Sequence, residues 1–142
     1  HERYIEQIDE AGIFWGVWLD NMFDHASTRR AYGMNMAGMV EYNHTNKKDA
    51  YYLYRARWNK NEPTLRIADR GWRERRDMLQ SIDVYSSVGE PLLVVEGDTI
   101  TMRCVGKAHY RADSVEVHGT KTIHATDVSG RYTDSVTIRV VK

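Results

Sequence analysis

The run DSVTIRV, residues 134–140, sets Val136, Ile138 and Val140 against Ser135, Thr137 and Arg139. Successive side chains of a strand point to opposite faces, so this alternation predicts a strand with one buried and one wet face. The same period recurs upstream, in SIDVYS (81–86) through Ile82 and Val84 and in DSVEVHG (113–119) through Val115 and Val117. Turn signals at Glu96-Gly97-Asp98, Gly119 and Ser129-Gly130 separate such runs. Half-buried strands repeated at short intervals predict an antiparallel β-sandwich over residues 63–142.

Further upstream the composition changes. The polar run NKNEP, Asn59 to Pro63, reads as a linker or turn. Residues 1–62 before it hold 11 of the 15 aromatic residues. HERYIEQIDEAG spaces Tyr4, Ile5 and Ile8 as a helix and ends on Gly12, a helix stop. Ile13 to Leu19 is a nearly continuous apolar run without charge, which suits a strand covered on both faces, as in a parallel sheet or barrel. Asn46, three residues before Asp49, resembles a helix N-cap ahead of DAYYLYRARW. A single strand of that type with flanking helices cannot bury its own faces. Residues 1–62 therefore read as a piece of something larger, and the chain alone is expected to self-associate or to leave this part poorly ordered.

The remaining signals mostly narrow the function. Lys plus Arg and Asp plus Glu balance at 20 each, which argues against nucleic acid or an acidic membrane surface as a partner. No apolar run approaches the roughly 20 residues of a membrane span. The lone Cys104 excludes an internal disulfide framework and reads as a buried small hydrophobe. The six histidines show no metal-ligand spacing, so neither metal nor cofactor is expected. Met34, Met36 and Met39 read as soft apolar filler. Trp72 among Arg70, Arg73, Arg75 and Arg76 reads as an edge strand with solvated charges. The start at His1 rather than Met suggests a cut chain, so missing targeting signals carry little weight.

WGVWLDNMFDHAS followed by NMAGMVEYNHTNKKDAYYLYRARW resembles the last strand and helix of the catalytic barrel in glycoside hydrolase family 2, the family of β-galactosidases, β-glucuronidases and β-mannosidases. Asn21, Met22, Phe23 and Asp24 match a strand-end motif of its galactosidase-like members. Asn35, Gly38 and Val40 match in part a loop of the form Asn-x-Lys-Gly-x-Val, and Lys47 to Tyr51 match a helix start. EPTLRIADRGW, DVYS and DSVTIRV continue the likeness into an immunoglobulin-like sandwich. The resemblance thus implies a mixed fold: the last strand–helix portion of a TIM (β/α)8 barrel in residues 1–62, then the sandwich in 63–142.

The same resemblance implies a retaining hydrolase with two glutamates, their carboxyls about 5 Å apart so that one can attack the anomeric carbon. Neither stands in this chain: Glu2, Glu6, Glu10, Glu41 and Glu62 match no catalytic motif of the family, so the fragment alone is expected to be inactive. Its contribution would be one wall of the sugar pocket, since barrel sites lie at the C-terminal ends of the strands. Trp18, Asp20 and Asn35 are the substrate-binding candidates, Trp18 and Asp20 sharing a strand face. For Trp18 the alternative is core packing, for Asp20 a structural ion pair, and for Asn35 a loop-ordering hydrogen bond. Two departures stand out: Asp20 occupies the place of a tryptophan floor, and Ala37 that of the lysine which, with the asparagine, holds a uronic acid carboxylate in glucuronidases. The loss of that cation argues against a uronic acid, and Asp20 suggests a sugar offering an extra hydroxyl. Asp24 and His25 read as supporting residues. The family also implies a periplasmic or secreted location. The rival readings are a non-catalytic carbohydrate-binding or assembly module and a degenerate member that binds without cleaving.

Overall fold

The amphipathic opening folds as α1, Glu2–Ala11, with Glu2 in the first turn where a negative charge complements the helix dipole. Ile5 is fully buried, and Gly12 closes the helix at φ 61, a left-handed conformation that glycine adopts without a Cβ penalty. This is a computed structural model describing residues 1–141, and the chain parts into two units, His1–Tyr51 and a second that begins at Tyr52.

In the first unit, Ile13 to Leu19 does not form the expected strand. A strand persists only where neighbouring backbone takes up its N–H and C=O groups, and among the described residues none pairs with this run. Phe14, Trp15 and Trp18 are accordingly exposed, Trp15 and Trp18 almost completely at 105% and 93%. The strand of the barrel-like unit expected for residues 1–62 is thus not formed. What pairing the unit has lies further on. A short β1, His25–Ala26, pairs antiparallel with β2, Met34–Asn35, across a 3-10 turn at Ala31–Gly33. Isolated bridges join Phe23 to Val40 and Val40 to Lys47. The helix α2, Asp49–Trp58, begins in this unit and runs on into the second; it carries Asp49 in its first turn and Arg55 and Arg57 in its last, the arrangement its dipole favours. Asn46 does not cap it by side chain as expected: its amide Nδ2 donates to Glu41 Oε2 at 2.8 Å.

The second unit is the sandwich. Its strands are β3 (Leu65–Ile67), β4 (Glu74–Arg75), β5 (Leu79–Ser86), β6 (Leu92–Val95), β7 (Asp98–Thr101), β8 (Arg103–Gly106), β9 (His109–Glu116), β10 (Thr120–Thr126) and β11 (Thr133–Val140). One sheet has the order β4-β11-β10-β6-β7 and the other β3-β5-β9-β8. Every pairing is antiparallel except β4 with β11. Burial alternates along β5, where Ile82 and Val84 point inward, and along β11, where Val136 and Ile138 do. These residues meet Ile67, Ala112, Val115 and Val117 from one side and Leu93, Val95, Ile123 and Ala125 from the other, forming one core. The β6–β7 hairpin turns on Glu96 (φ 52) and Gly97 (φ 95), the paired positive φ values of a type I′ turn. In β9 the register slips by one, with Ser114 at φ 57, so that Ala112 and Val115 both face the core.

Two further expectations are corrected. Cys104 is exposed, because β8 is an edge strand paired only with β9; its thiol Sγ lies 3.2 Å from the Gly106 carbonyl. Arg75 is buried rather than solvated: its Nη1 donates to Gln80 Oε1 at 2.9 Å, its Nε to the Trp72 carbonyl, and its guanidinium lies over the Trp72 ring. Burial lowers its pKa, and the charges of Asp69 and Asp83 oppose that shift. A buried arginine is tolerable when its donors find such acceptors.

Candidate functional site

The residues singled out by the family motifs lie between positions 18 and 48, and the structure shows how that stretch is built. Val40 is its axis. Its N–H donates to the Met22 carbonyl and its carbonyl accepts from Asp24 N–H, both at 2.9 Å, while Met39 N–H reaches the Asn21 carbonyl. On the other side Lys48 N–H donates to the Met39 carbonyl at 2.9 Å, and Glu41 N–H to that of Asn46. Residues 39–41 therefore run between 21–24 and 46–48 as the middle of a small three-segment sheet.

Asp24, only 4% exposed, ties this layer together. Its Oδ1 accepts the N–H of Gly38 at 3.0 Å and the ammonium of Lys48 at 2.7 Å. The same ammonium donates to the Met36 carbonyl at 2.9 Å. An unpaired carboxylate at this depth would carry a large desolvation penalty, so the lysine and the amide together make its burial tolerable. Gly38 passes so close that a Cβ would sit 2.3 Å from the backbone N of Asp24 and 2.4 Å from the carbonyl carbon of Phe23. Only glycine fits there. The ring of Phe23 stacks on that of His44 with centroids 4.1 Å apart.

Against this frame the three substrate-binding candidates take different positions. Asn35 lies in β2 opposite His25, half-buried, and its Oδ1 accepts the N–H of Ala37 at 3.1 Å, a bond that shapes the loop. Asp20 is exposed and precedes Asn21, whose side chain lies 3.3 Å from His25 Nδ1. Asp20–Asn21 is a cis peptide bond. Asn21 thus meets His25 by a side-chain hydrogen bond and Asn35 by strand pairing. Trp18 stands almost fully exposed, and without a strand at 13–19 alternation does not place it beside Asp20. Among the described residues no group of three or more His, Cys, Asp or Glu side chains is arranged to hold a metal.

The Asp24–Lys48 pair and the close approach of Gly38 are not legible in the sequence. All three residues sit in the family motifs, but no local periodicity connects a carboxylate with an ammonium 24 positions later. The expected gap-filling methionines divide: Met39 is buried, Met34 half-buried and Met36 exposed.

No family model matches the chain. Over 94 residues it is 34% identical to a β-glucuronidase of Bacteroides fragilis, a match that covers 63% of this chain and 14% of that protein. The fold superposes over 99% of this chain on a β-galactosidase-like protein of Bacteroides fragilis, with TM-score 0.89, 27% identity and 22% of that chain covered. An FMN-binding β-glucuronidase of F. prausnitzii L2-6 superposes equally well, with TM-score 0.89, 25% identity, and 99% and 22% coverage. The chain thus spans under a quarter of the length of each of these three proteins. It is a homologue, over that stretch, of the β-glucuronidase and β-galactosidase-like proteins.

Proposed function

We propose that this chain is the C-terminal portion of a retaining β-glycoside hydrolase of family 2, in which residues 1–62 complete the catalytic barrel and residues 63–142 form an accessory immunoglobulin-like domain. The observation that carries the reading is the match over 99% of the chain to a β-galactosidase-like protein, at 27% identity and TM-score 0.89. In this reading both catalytic glutamates come from the rest of the enzyme, and this segment alone does not hydrolyse glycosides. Trp18, Asp20 and Asn35 contribute one wall of the sugar site. Exposure supports that role for Trp18 and Asp20, since neither side chain is used up in packing within the segment. Asn35 is held by its own loop with its amide NH2 left for a ligand hydroxyl or carboxylate.

The substrate we propose is a neutral β-glycoside, a galactoside before a glucuronide. Position 37 carries alanine instead of a cation, and the ammonium nearest that loop, Lys48, is already neutralised by Asp24. A uronic acid carboxylate would meet Asp20 with neither position 37 nor Lys48 supplying an unpaired positive charge to balance it.

The test is hydrolysis of a panel of nitrophenyl β-glycosides by the intact enzyme, beside Asp20→Trp and Asp20→Ala variants. The expected outcome is turnover of the galactoside above the glucuronide. Asp20→Ala should lower kcat/KM on the favoured sugar on the order of tenfold, as for a lost hydrogen bond to substrate. Preference for the glucuronide would overturn the neutral-sugar assignment, and no turnover of any glycoside would overturn the hydrolase itself.

A further inference from the structure

We infer that the part-buried Asp24–Lys48 pair is a positioning device that sets the Asn35–Gly38 loop for sugar binding, so that Lys48 acts on substrate binding without touching the substrate. The inference rests on the function proposed above. Its geometric basis is that one cation holds two points of one layer. The Lys48 ammonium lies 2.7 Å from Asp24 Oδ1 and 2.9 Å from the Met36 carbonyl, in the middle of Asn35-Met36-Ala37-Gly38. Asp24 Oδ1 takes the Gly38 N–H at the far end of that loop, and Asn35 Oδ1 takes the Ala37 N–H at its near end. Three of the four loop residues are thus fixed by hydrogen bonds that converge on one carboxylate oxygen, one amide oxygen and one ammonium.

The energetics favour this pair as a register pin over a source of stability. Asp24 is 4% and Lys48 28% exposed, so desolvation cancels much of their attraction. What the pair does supply is geometry. Charge-assisted bonds are short and directional, and the Lys48 backbone is itself anchored, since its N–H bonds the Met39 carbonyl. Without the ammonium, Asp24 would be a buried carboxylate with the Gly38 amide as its remaining partner in this layer, and the Met36 carbonyl would lose its donor. The loop would then be free to rotate Asn35 away from His25, its partner across β1 and β2. Lysine at position 48 thus organises the loop from outside it, through Asp24 and the Met36 carbonyl.

The experiment uses the intact enzyme with Lys48→Met, Lys48→Arg, Asn35→Ala and the double variant Lys48→Met/Asn35→Ala. Two readouts are taken: deuterium exchange of peptides spanning 34–40, and KM and kcat on the favoured nitrophenyl glycoside. Lys48→Met should speed exchange of that loop at least roughly tenfold and raise KM on the order of tenfold with kcat within about twofold, the scale of a misplaced binding group. Lys48→Arg should recover both, and the double variant should bind no worse than Asn35→Ala alone. Unchanged loop exchange in Lys48→Met overturns the inference whether or not the enzyme is active. A faster loop with unchanged KM, or additive effects in the double variant, overturns the role in binding. A wild type that turns over no glycoside overturns the proposed function, and this is distinguishable because the exchange readout stands without turnover.

Discussion

At position 38 the chain leaves no room for any side chain. The atoms a Cβ would meet are the backbone of Phe23 and Asp24, which cannot swing aside as a flexible side chain would. Gly38→Ala should therefore cost on the order of 1–3 kcal/mol, as overpacking does elsewhere, and open the 34–40 loop to exchange. Gly71, where a Cβ would meet nothing within 4 Å, is the matching control: Gly71→Ala should stay within about 0.5 kcal/mol of wild type in denaturant unfolding. A second residue-scale prediction concerns Asp83. Its carboxylate accepts from His109 Nε2 at 2.8 Å and from Arg111 Nε and Nη2 at 2.7 and 3.1 Å. Burial pushes its pKa up, but the hydrogen bonds and charges of His109 and Arg111 together outweigh burial and hold it below the ordinary carboxylate value. The group thus binds fewer protons folded than unfolded. Its contribution to stability is present above the unfolded carboxylate pKa of about 3.9 and is lost as pH falls through the lower folded value. Denaturant midpoints between pH 6 and pH 2.5 should drop steeply at the acid end for the wild type and more gently for Asp83→Asn, which itself costs about 1–3 kcal/mol at neutral pH by removing the carboxylate that His109 and Arg111 bond. Parallel acid limbs in the two proteins would refute the assignment.

At the scale of elements, β5 and β11 show in their own residues what they become, because a two-residue period maps directly onto the two faces of a sheet. The helix α1 is equally legible, its end set by Gly12. Ile13 to Leu19 is legible only as apolar: whether such a run extends as a strand is decided by partners that no local pattern names. The same limit hides Arg75, whose burial depends on Gln80 and Trp72, and His109, whose burial depends on Asp83. It hides the loop clamp too, since Asp24 and Lys48 meet only after Val40 has been threaded between their segments. Cys104 departs from its expected burial because an edge position is a property of sheet order, which sequence spacing does not report. Where core and period agree, the cost of damage is predictable. Ile123, fully buried between β6 and β11 on β10, should lose about 2–5 kcal/mol on change to Ala. In the β6–β7 turn, Gly97→Ala should cost roughly 1 kcal/mol, because φ 95 suits glycine alone. Urea unfolding of both variants, read with a common m-value, checks these figures, and a neutral Ile123→Ala would mean that the two sheets do not share the core described.

Over the whole chain the two units differ in what they bury. Among the described residues, the apolar core of the first unit consists of Ile5, Met39 and Val40, whereas Tyr4, Ile13, Phe14, Trp15, Val17, Trp18, Met22, Phe23, Tyr32, Met36 and Tyr42 are exposed. The second unit closes a core from both of its sheets. Chain entropy of roughly 1–2 kcal/mol per ordered residue must be offset by burial, and three buried side chains cannot do this for some fifty residues. The sandwich can fold by itself; the aromatic unit needs a surface to lie against. Produced alone, the chain should therefore associate in proportion to its concentration in light scattering, and exchange should be slow in β5, β10 and β11 but fast throughout residues 1–51. A chain starting at Tyr52 should remain monomeric and unfold in one cooperative step. Within the longer hydrolase proposed above, the fluorescence of Trp15 and Trp18 should shift to the blue relative to the isolated chain, because side chains now 105% and 93% exposed would be enclosed. A monomeric isolated chain with protected amides in residues 1–51 would show instead that the unit is self-sufficient, and its aromatic face would then have to be explained as a surface used for binding.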